Sequence, residues 1–208
     1  CLNRWSRTPI QILDEYGVWN CGRSLAAHCV YTTPEDWAIM TERGISCVHN
    51  PWSNLKLGSG VAPIPAMLKA GVNVALGTDG AASNNNLNMK EEMHLAAVLH
   101  NGFTHDPTLM KPAQVLTMAT RSGARLQGRS DTGSLEVGKK ADIIAIDLTR
   151  PHLFPDIDPL ALMTYSAQGS DVAMTMVDGR VLYENGEFLT LDADKILHDA
   201  RACVKRLY

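Results

Sequence analysis

The sequence predicts an α/β protein that contains part of a (β/α)8 barrel, followed by a small β-rich module. Over residues 1–132, short apolar runs alternate with amphipathic stretches, the pattern produced by parallel strands joined through helical crossovers. The polar residues that end three of these runs are His28, His49 and Asp79. Their spacing is close to the roughly 30 residues of one barrel unit. Three units cannot close an eight-stranded barrel, so the sequence predicts half of one.

Each barrel element has its own local signal. Strands are predicted at 24–30, 45–49 and 72–78, because these runs are short, apolar and flanked by turn residues. The first predicted helix has a threonine N-cap followed by proline, the second stops at a glycine, and the third has apolar residues three or four apart. These helices are predicted at 33–42, 62–70 and 87–100.

The rest of the chain is predicted to form a β-rich module and a final helix. Two strands of alternating polarity meet at Asp178-Gly179, and Asp-Gly between such strands is a strong signal of a two-residue hairpin. The final helix has one apolar face, made of Ile196, Ala200, Cys203, Val204 and Leu207. The predicted boundaries are 1–132 for the barrel part, 133–190 for the β-rich module and 191–208 for the helix.

Composition and charge argue against some classes of protein. The 208 residues include 19 basic and 22 acidic side chains, without the basic stretch that a nucleic-acid partner would require. The apolar runs are too short to cross a membrane. Five scattered cysteines without CxxC spacing argue against a disulfide framework and favour a reducing cytoplasm. The chain opens on Cys1 without a signal-peptide pattern, which we interpret as a cut end.

Two polar residues at predicted strand ends are the first candidates for chemistry. Asp79 lies in Gly-Thr-Asp-Gly, where a carboxylate at the mouth of a barrel can bind a metal and accept a proton from water. An aspartate in a turn or at a helix N-cap would give the same pattern. His28 follows two alanines at a strand end, where an imidazole can act as a general base or have a structural role alone.

The segment after the second strand supplies a third candidate. Residues 53–60 are polar and contain glycine, so this loop and Asn54 are candidates to close over a ligand, although a plain connection between strand and helix is the alternative. His49 precedes Asn-Pro, which favours a packing or loop-bonding role. The other histidines lack HxH or HExxH spacing, so we expect no metal site from them. They are His94, His100, His105, His152 and His198.

Taken together and in order, four segments resemble the amidohydrolase superfamily. They are Leu25-Ala-Ala-His-Cys29, Val48-His-Asn-Pro-Trp-Ser-Asn-Leu-Lys-Leu-Gly-Ser-Gly60, Gly71-Val-Asn-Val-Ala-Leu-Gly-Thr-Asp-Gly-Ala-Ala-Ser-Asn84 and Gly133-Ser-Leu-Glu-Val-Gly-Lys-Lys-Ala-Asp142. Within the superfamily, the chain resembles the branch of 5-methylthioadenosine/S-adenosylhomocysteine deaminases and their chlorohydrolase-like relatives. The resemblance covers nearly the whole chain.

The resemblance implies a metal-dependent (β/α)8 barrel with a β-sandwich, which hydrolyses an amino group off a purine-like small molecule. By position, Asp79 matches the metal-ligand aspartate after the eighth barrel strand and would also contact the substrate. His28 matches the histidine after the sixth strand, which positions the attacking hydroxide. The implied cofactor is a divalent metal, with zinc expected, and we expect Asn54 to bind the substrate.

The chain departs from the family pattern in one large respect. The family places an HxH pair after the first strand and His-x-x-Glu after the fifth, and this chain has neither. One carboxylate cannot hold catalytic zinc, which takes three or more protein ligands. We therefore expect this chain to be the C-terminal half of a longer enzyme and to be inactive alone. Its open strand edges would favour pairing with a second copy as a homo-oligomer.

Two alternatives remain for the function. The first keeps the fold and changes the substrate, giving a guanine or 8-oxoguanine deaminase or a triazine chlorohydrolase. The second is a truncated binding protein without catalysis. An open reading frame that continues upstream of Cys1 would favour an enzyme, whereas a start codon just before Cys1 would favour the binding protein.

Overall fold

The computed structural model describes residues 1–207, and its first sheet has three parallel strands. They are β1 (Leu25–Ala27), β2 (Ser46–His49) and β3 (Val74–Leu76), hydrogen-bonded in that order. Each strand lies inside a run that the sequence predicts to be a strand. The parallel order β1-β2-β3, with helices between the strands, confirms the predicted succession of barrel units.

Helices precede, separate and follow these strands. They are α1 (Leu2–Trp5), α2 (Pro9–Glu15), α3 (Pro34–Arg43), α4 (Pro51–Lys56), α5 (Ile64–Lys69), α6 (Ala81–Asn84), α7 (Met89–Thr104), α8 (Pro112–Ala119) and α9 (Arg121–Leu126), with a 3-10 turn at Val18–Asn20. Helix α3 shows how local chemistry sets the ends. Thr33 and Asp36 form a reciprocal capping box at its start, and Gly44, with φ of 67°, ends it.

One face of the first sheet packs against helices, and the other face is open. Cys47, Val74 and Leu76 belong to the buried core, together with side chains of α3, α5, α7 and α8. Because side chains alternate along a strand, Leu25 and Val48 lie on the opposite face, where Leu25 is 52% exposed. In a closed barrel this face forms the interior. Among the described strands, β1 and β3 each have one unpaired edge.

The second sheet has four antiparallel strands in chain order. They are β4 (Ile143–Ile146), β5 (Val172–Val177), β6 (Arg180–Glu184) and β7 (Glu187–Phe188). Asp178 and Gly179, between β5 and β6, have φ of 50° and 79°, and a two-residue turn of type I′ requires left-handed backbone at both positions. The predicted hairpin is thereby confirmed, and the domain boundaries around it stay predictions.

Short helical segments connect β4 to β5, and one long helix follows the second sheet. The connecting segments are a 3-10 turn at Pro151–Leu153, α10 (Pro159–Ala161), a π-helical turn at Leu162–Ser166 and a 3-10 turn at Gly169–Asp171. The final helix is α11 (Ala193–Leu207), and none of its residues is buried. Tyr208, the last residue of the helix predicted there, lies outside the described residues. Across residues 1–207, each helix is too short or too polar to traverse a bilayer.

One predicted element differs from the observed fold. The prediction of a loop over residues 53–60 is wrong for its first half, because helix α4 covers Pro51–Lys56. Pro51 is the first residue of that helix, where the missing N–H of proline costs no hydrogen bond. The chain leaves the helix before Gly58, whose φ is 67°. This short helix brings two side chains to the candidate site.

Candidate active site

His28 and Asp79 lie together at one edge of the first sheet. His28 directly follows β1 and Asp79 follows β3, and β2 runs between these two strands. The carboxyl ends of parallel strands meet at one end of a barrel, and here this brings His28 Nε2 to 3.9 Å from Asp79 Oδ2. Both side chains are partly open to solvent, at 42% and 28% exposure, so a ligand can reach them.

The backbone at both candidate residues is left-handed. His28 has φ of 68°, the following Cys29 has 51°, and Asp79 has 60°. Such a conformation costs a non-glycine residue on the order of 1–3 kcal/mol and is concentrated at functional sites. It turns each side chain away from the simple alternation of its strand. The same conformation occurs at His105 and in the hairpin at Asp178, so it orients His28 and Asp79 without assigning them a function.

Gly77, which follows β3, packs closely against the end of β2. A Cβ at this position would lie 2.5 Å from Asn50 Oδ1 and 2.7 Å from Val48 Cγ1. We expect Gly77→Ala to lower the free energy of unfolding by about 1–3 kcal/mol, the usual cost of overpacking. Urea unfolding measures it, with Gly102→Ala as control because a Cβ there meets nothing within 4 Å. Equal stability of Gly77→Ala and the parent protein would contradict this packing.

Two consecutive residues of α4 hold the two candidate side chains. The Ser53 hydroxyl donates to Asp79 Oδ2 at 2.7 Å, and His28 Nδ1 lies 2.8 Å from Asn54 Oδ1. Because α4 starts directly after β2, its first turn sits between the ends of β1 and β3. The helix therefore bridges the site from the middle strand.

The contact with Asn54 determines the tautomer of His28. A carbonyl oxygen only accepts hydrogen bonds, so His28 Nδ1–H must be the donor to Asn54 Oδ1. In the neutral imidazole the proton on Nδ1 leaves a lone pair on Nε2. This lone pair is on the atom that faces Asp79. The arrangement can thus accept a proton beside a carboxylate.

Asp79 is held in its ionised form by hydrogen bonds. The Ser53 hydroxyl and the Gly80 N–H, which donates to Asp79 Oδ1 at 2.7 Å, lower the pKa of the Asp79 carboxyl. The nearby His28 adds a smaller effect in the same direction. A carboxylate with donors on both oxygens stays charged at neutral pH. It therefore presents a negative charge at the edge of the sheet.

Asn54 has a different contact from the one expected of a substrate-binding residue. Its relative exposure is 1%, and its side-chain oxygen is used by His28. Its Nδ2 is buried and has no hydrogen-bond partner among residues 1–207. The geometry favours a role in holding His28, and direct contact with substrate stays a prediction.

His49 lies on the other face of the sheet and pairs with His100. Its register partner Leu76 belongs to the core, and both histidines are buried, with their Nε2 atoms 3.2 Å apart. One neutral ring donates its N–H to the lone pair of the other. The packing role predicted for His49 is borne out.

Burial makes this histidine pair hard to protonate. Burial lowers the pKa of His49 to about 3, with repulsion from His100 and His28 adding to the effect. Burial also lowers the pKa of His100 to about 4. Both values lie below the ordinary value of 6.5. The unfolded chain therefore binds protons below about pH 6.5 that the folded chain does not accept.

We expect the pair to make the protein lose stability as the pH falls from about 6.5 towards about 4. Each histidine contributes up to about 1.4 kcal/mol per pH unit over its window. Urea unfolding at stepwise pH measures the slope, which His49→Gln combined with His100→Gln should flatten. His198→Gln, at an 83% exposed side chain, is the matched control. An unchanged slope in the double variant would contradict the assignment.

The other histidines lie away from the site. His152 Nε2 lies 2.9 Å from Asp171 Oδ2, next to the second sheet, and His94, His105 and His198 are exposed. Within residues 1–207, no three His, Cys, Asp or Glu side chains converge as a metal site would need.

Ser53 is a site residue that the sequence analysis missed as a partner of Asp79. The Asn50-Pro51 pair was the available signal, because proline favours the first position of a helix. A helix starting there would bring Ser53 and Asn54 to adjacent positions in its first turn. Which strand ends they meet depends on the packing of α4 between β1 and β3.

Comparison with known protein families and curated proteins gives consistent matches. A profile described as the amidohydrolase family matches residues 6–182. The chain is 46% identical over 205 residues to 5-methylthioadenosine/S-adenosylhomocysteine deaminase of Acetivibrio thermocellus, covering 98% of this chain and 47% of that protein. It is 46% identical over 204 residues to 5'-deoxyadenosine deaminase of Methanosarcina acetivorans, with coverage of 98% and 47%. The chain spans about half the length of these relatives.

Solved structures match the fold closely. An adenosine deaminase from Xanthomonas campestris with bound zinc superposes with a TM-score of 0.94 at 36% identity, covering 99% of this chain and 47% of that chain. An atrazine chlorohydrolase from Arthrobacter aurescens, complexed with zinc, superposes with a TM-score of 0.88 at 31% identity, covering 97% and 45%. The predicted partial barrel is confirmed by these matches.

Proposed function

This chain belongs to the amidohydrolase family, and from that premise we propose that it supplies part of the active site of a hydrolytic deaminase of adenosine-type nucleosides. The observation that carries the proposal is the pairing of His28 Nε2 with the ionised Asp79 at 3.9 Å. Relatives at 46% identity are named deaminases of 5-methylthioadenosine, S-adenosylhomocysteine and 5'-deoxyadenosine. We extend that substrate class to the protein containing this chain.

Asp79 fits one ligand position of a divalent metal site. Its carboxylate is ionised, partly exposed and oriented by Ser53 and Gly80. Zinc needs three or more protein ligands, and the described residues offer no cluster of that size. We propose that Asp79 is one ligand of a zinc ion whose other ligands lie outside residues 1–207. When bound, such an ion lowers the pKa of a coordinated water towards about 7.

His28 orients the attacking water in this proposal. Its Nε2 lone pair, kept free by the hydrogen bond to Asn54, accepts a hydrogen bond from the water on the side that faces Asp79. The water oxygen bonds to the ring carbon that carries the amino group. The amino group gains a proton and leaves as ammonia, so one water is consumed for each ammonia released.

Asp79 has a second task as a proton carrier. Its Oδ2 is the carboxylate oxygen on the His28 side, within reach of a water held there. The proton lost by the water passes to this carboxylate and then onward to the leaving amine. Because Asp79 borders the position of the ring, it also contacts the substrate in this proposal.

An assay with several candidate substrates tests the proposed function. The protein that contains this chain is loaded with zinc and given S-adenosylhomocysteine, 5-methylthioadenosine, 5'-deoxyadenosine, guanine and atrazine, with ammonia and chloride release measured separately. Ammonia from the adenosine-type nucleosides is the expected result. Release of chloride from atrazine alone, or ammonia from guanine alone, would replace the proposal by the corresponding relative. No turnover of any of them would favour a binding protein without catalysis.

A further inference from the structure

Glu92 is a buried carboxylate in α7 that the proposed chemistry does not use. Its relative exposure is 1%, and burial raises the pKa of its carboxyl. Both oxygens accept hydrogen bonds: Oε2 from the Trp52 N–H at 3.2 Å and Oε1 from Asn84 Nδ2 at 2.6 Å. A buried carboxylate is costly unless its partners compensate for lost hydration. Trp52 and Asn84 provide that compensation for Glu92.

The first hydrogen-bond donor to Glu92, the Trp52 N–H, belongs to helix α4. Trp52 is the second residue of α4, where the backbone N–H has no partner within the helix. Glu92 accepts from this N–H and so anchors the start of α4 to α7. The next two residues of α4, Ser53 and Asn54, bind Asp79 and His28 respectively. Moving the start of α4 would displace both contacts.

The second donor to Glu92, Asn84, also contacts the segment after β3 that carries Asp79. Asn84 Nδ2 donates to Glu92 Oε1 and also to the Thr78 carbonyl oxygen at 2.7 Å. Thr78 directly precedes Asp79, whose backbone is left-handed. Through Asn84, Glu92 is thus connected to the carbonyl group of Thr78, the residue before Asp79. One arm of this network ends at the start of α4, and the other ends at the residue before Asp79.

We propose that Glu92 is a positioning residue that sets the separation between His28 and Asp79. It acts by locking α4 and the Thr78 carbonyl to one carboxylate, and it touches neither substrate nor metal. The catalytic part of this inference rests on the proposed function, whereas the geometric part concerns His28 and Asp79 alone. An acceptor on both oxygens is required, because Trp52 N–H and Asn84 Nδ2 are both donors.

Glu92→Gln is the variant that removes this feature with little change in volume. Its amide nitrogen must face either the Trp52 N–H or Asn84 Nδ2, so one arm is broken by two opposed donors. We expect kcat to fall at least about 10-fold with KM changed less than about 3-fold, because a small misplacement of reacting groups costs mainly rate. The matched control is Glu91→Gln on the same helix, whose Oε1 accepts only from Asn88 Nδ2 in the described structure; its kcat should be unchanged.

A spectroscopic measurement separates positioning from a merely structural role. In ¹⁵N NMR of the histidine rings, the parent protein should show His28 protonated on Nδ1, as its bond to Asn54 requires. In Glu92→Gln, Asn54 should be displaced, so that it no longer fixes the proton of the His28 ring on Nδ1. Both spectra are recorded at a temperature where both proteins are fully folded. An unchanged His28 tautomer together with an unchanged kcat would overturn the proposal. A loss of activity that only follows the unfolded fraction would overturn it as well.

An inactive parent protein and an unfolded Glu92→Gln variant each require a different test. If the parent protein deaminates nothing, the proposed function fails, and the His28 tautomer alone decides whether Glu92 positions the site. If Glu92→Gln does not fold, Asn84→Ala replaces it, since this change removes the arm to Thr78 and keeps the Trp52 contact. The same fall in kcat and change in the His28 spectrum are expected. Parent-like values in Asn84→Ala would overturn the proposal.

Discussion

Asp79→Asn is expected to abolish metal retention and turnover in the proposed deaminase. The substitution removes the negative charge at the edge of the sheet. It also places an amide nitrogen either against the Gly80 N–H, which can only donate, or against the Ser53 hydroxyl, which must then accept instead of donate. Turnover should fall by at least about 10³-fold, because losing a single preorganised hydrogen-bond donor at a reacting centre already costs about 10²–10³-fold. Zinc content after dialysis and the rate of ammonia release measure the two effects.

The matched control for this prediction is Asp156→Asn. Asp156 is an exposed aspartate in the connection between β4 and β5, so it reports the effect of losing one negative charge far from the site. Its zinc content and rate should equal those of the parent protein. Zinc retention with a near-normal rate in Asp79→Asn would rule out the proposed role of Asp79.

His28→Ala is expected to leave the metal bound and to reduce kcat by at least about 10²-fold. The reason is that in the proposed reaction the imidazole orients the attacking water for proton transfer to Asp79, and a group positioned for acid–base chemistry contributes on this scale. The hydrogen bond from Nδ1 to Asn54 is lost at the same time. Steady-state kinetics and zinc analysis of the same preparation measure both outcomes.

His105→Ala controls for the backbone at His28. Both histidines have left-handed backbone, with φ of 57° at His105 and 68° at His28, so both variants place alanine in a strained conformation. His105 caps the end of α7, far along the helix from Glu92. A parent-like rate in His105→Ala attributes the loss in His28→Ala to the imidazole. Loss of zinc in His28→Ala would instead identify His28 as a metal ligand.

The candidate site was predictable from sequence where its residues end strands. His28 and Asp79 follow short apolar runs, and parallel strands bring their carboxyl ends to one edge; the 3.9 Å contact agrees with that expectation. The role of Asn54 was not predictable in the same way. Its segment contains turn-forming residues and reads as a loop, but helix α4 covers it and buries Asn54 behind His28.

The burial of Glu92 and its contacts with the site could not be predicted from the sequence, for a different reason. A glutamate in the first turn of a helix is ordinary, since it interacts favourably with the helix dipole, and it is usually exposed. Nothing local distinguishes Glu92 from its neighbour Glu91. Only the packing of α7 against α4 and the loop after β3 buries one of them and leaves the other partly exposed.

The sequence by itself determined the alternation of strands and helices, the Asp178-Gly179 hairpin and the order of residues that end the strands. These features depend on local periodicity and turn chemistry, which act over a few residues. The tertiary structure decided that α4 bridges β1 and β3, that His49 meets His100 on the helix side, and that Glu92 ties α4 to Thr78 through Asn84. Such contacts join residues 6 to 51 positions apart, and they exist only once the register of the sheet has placed each strand end.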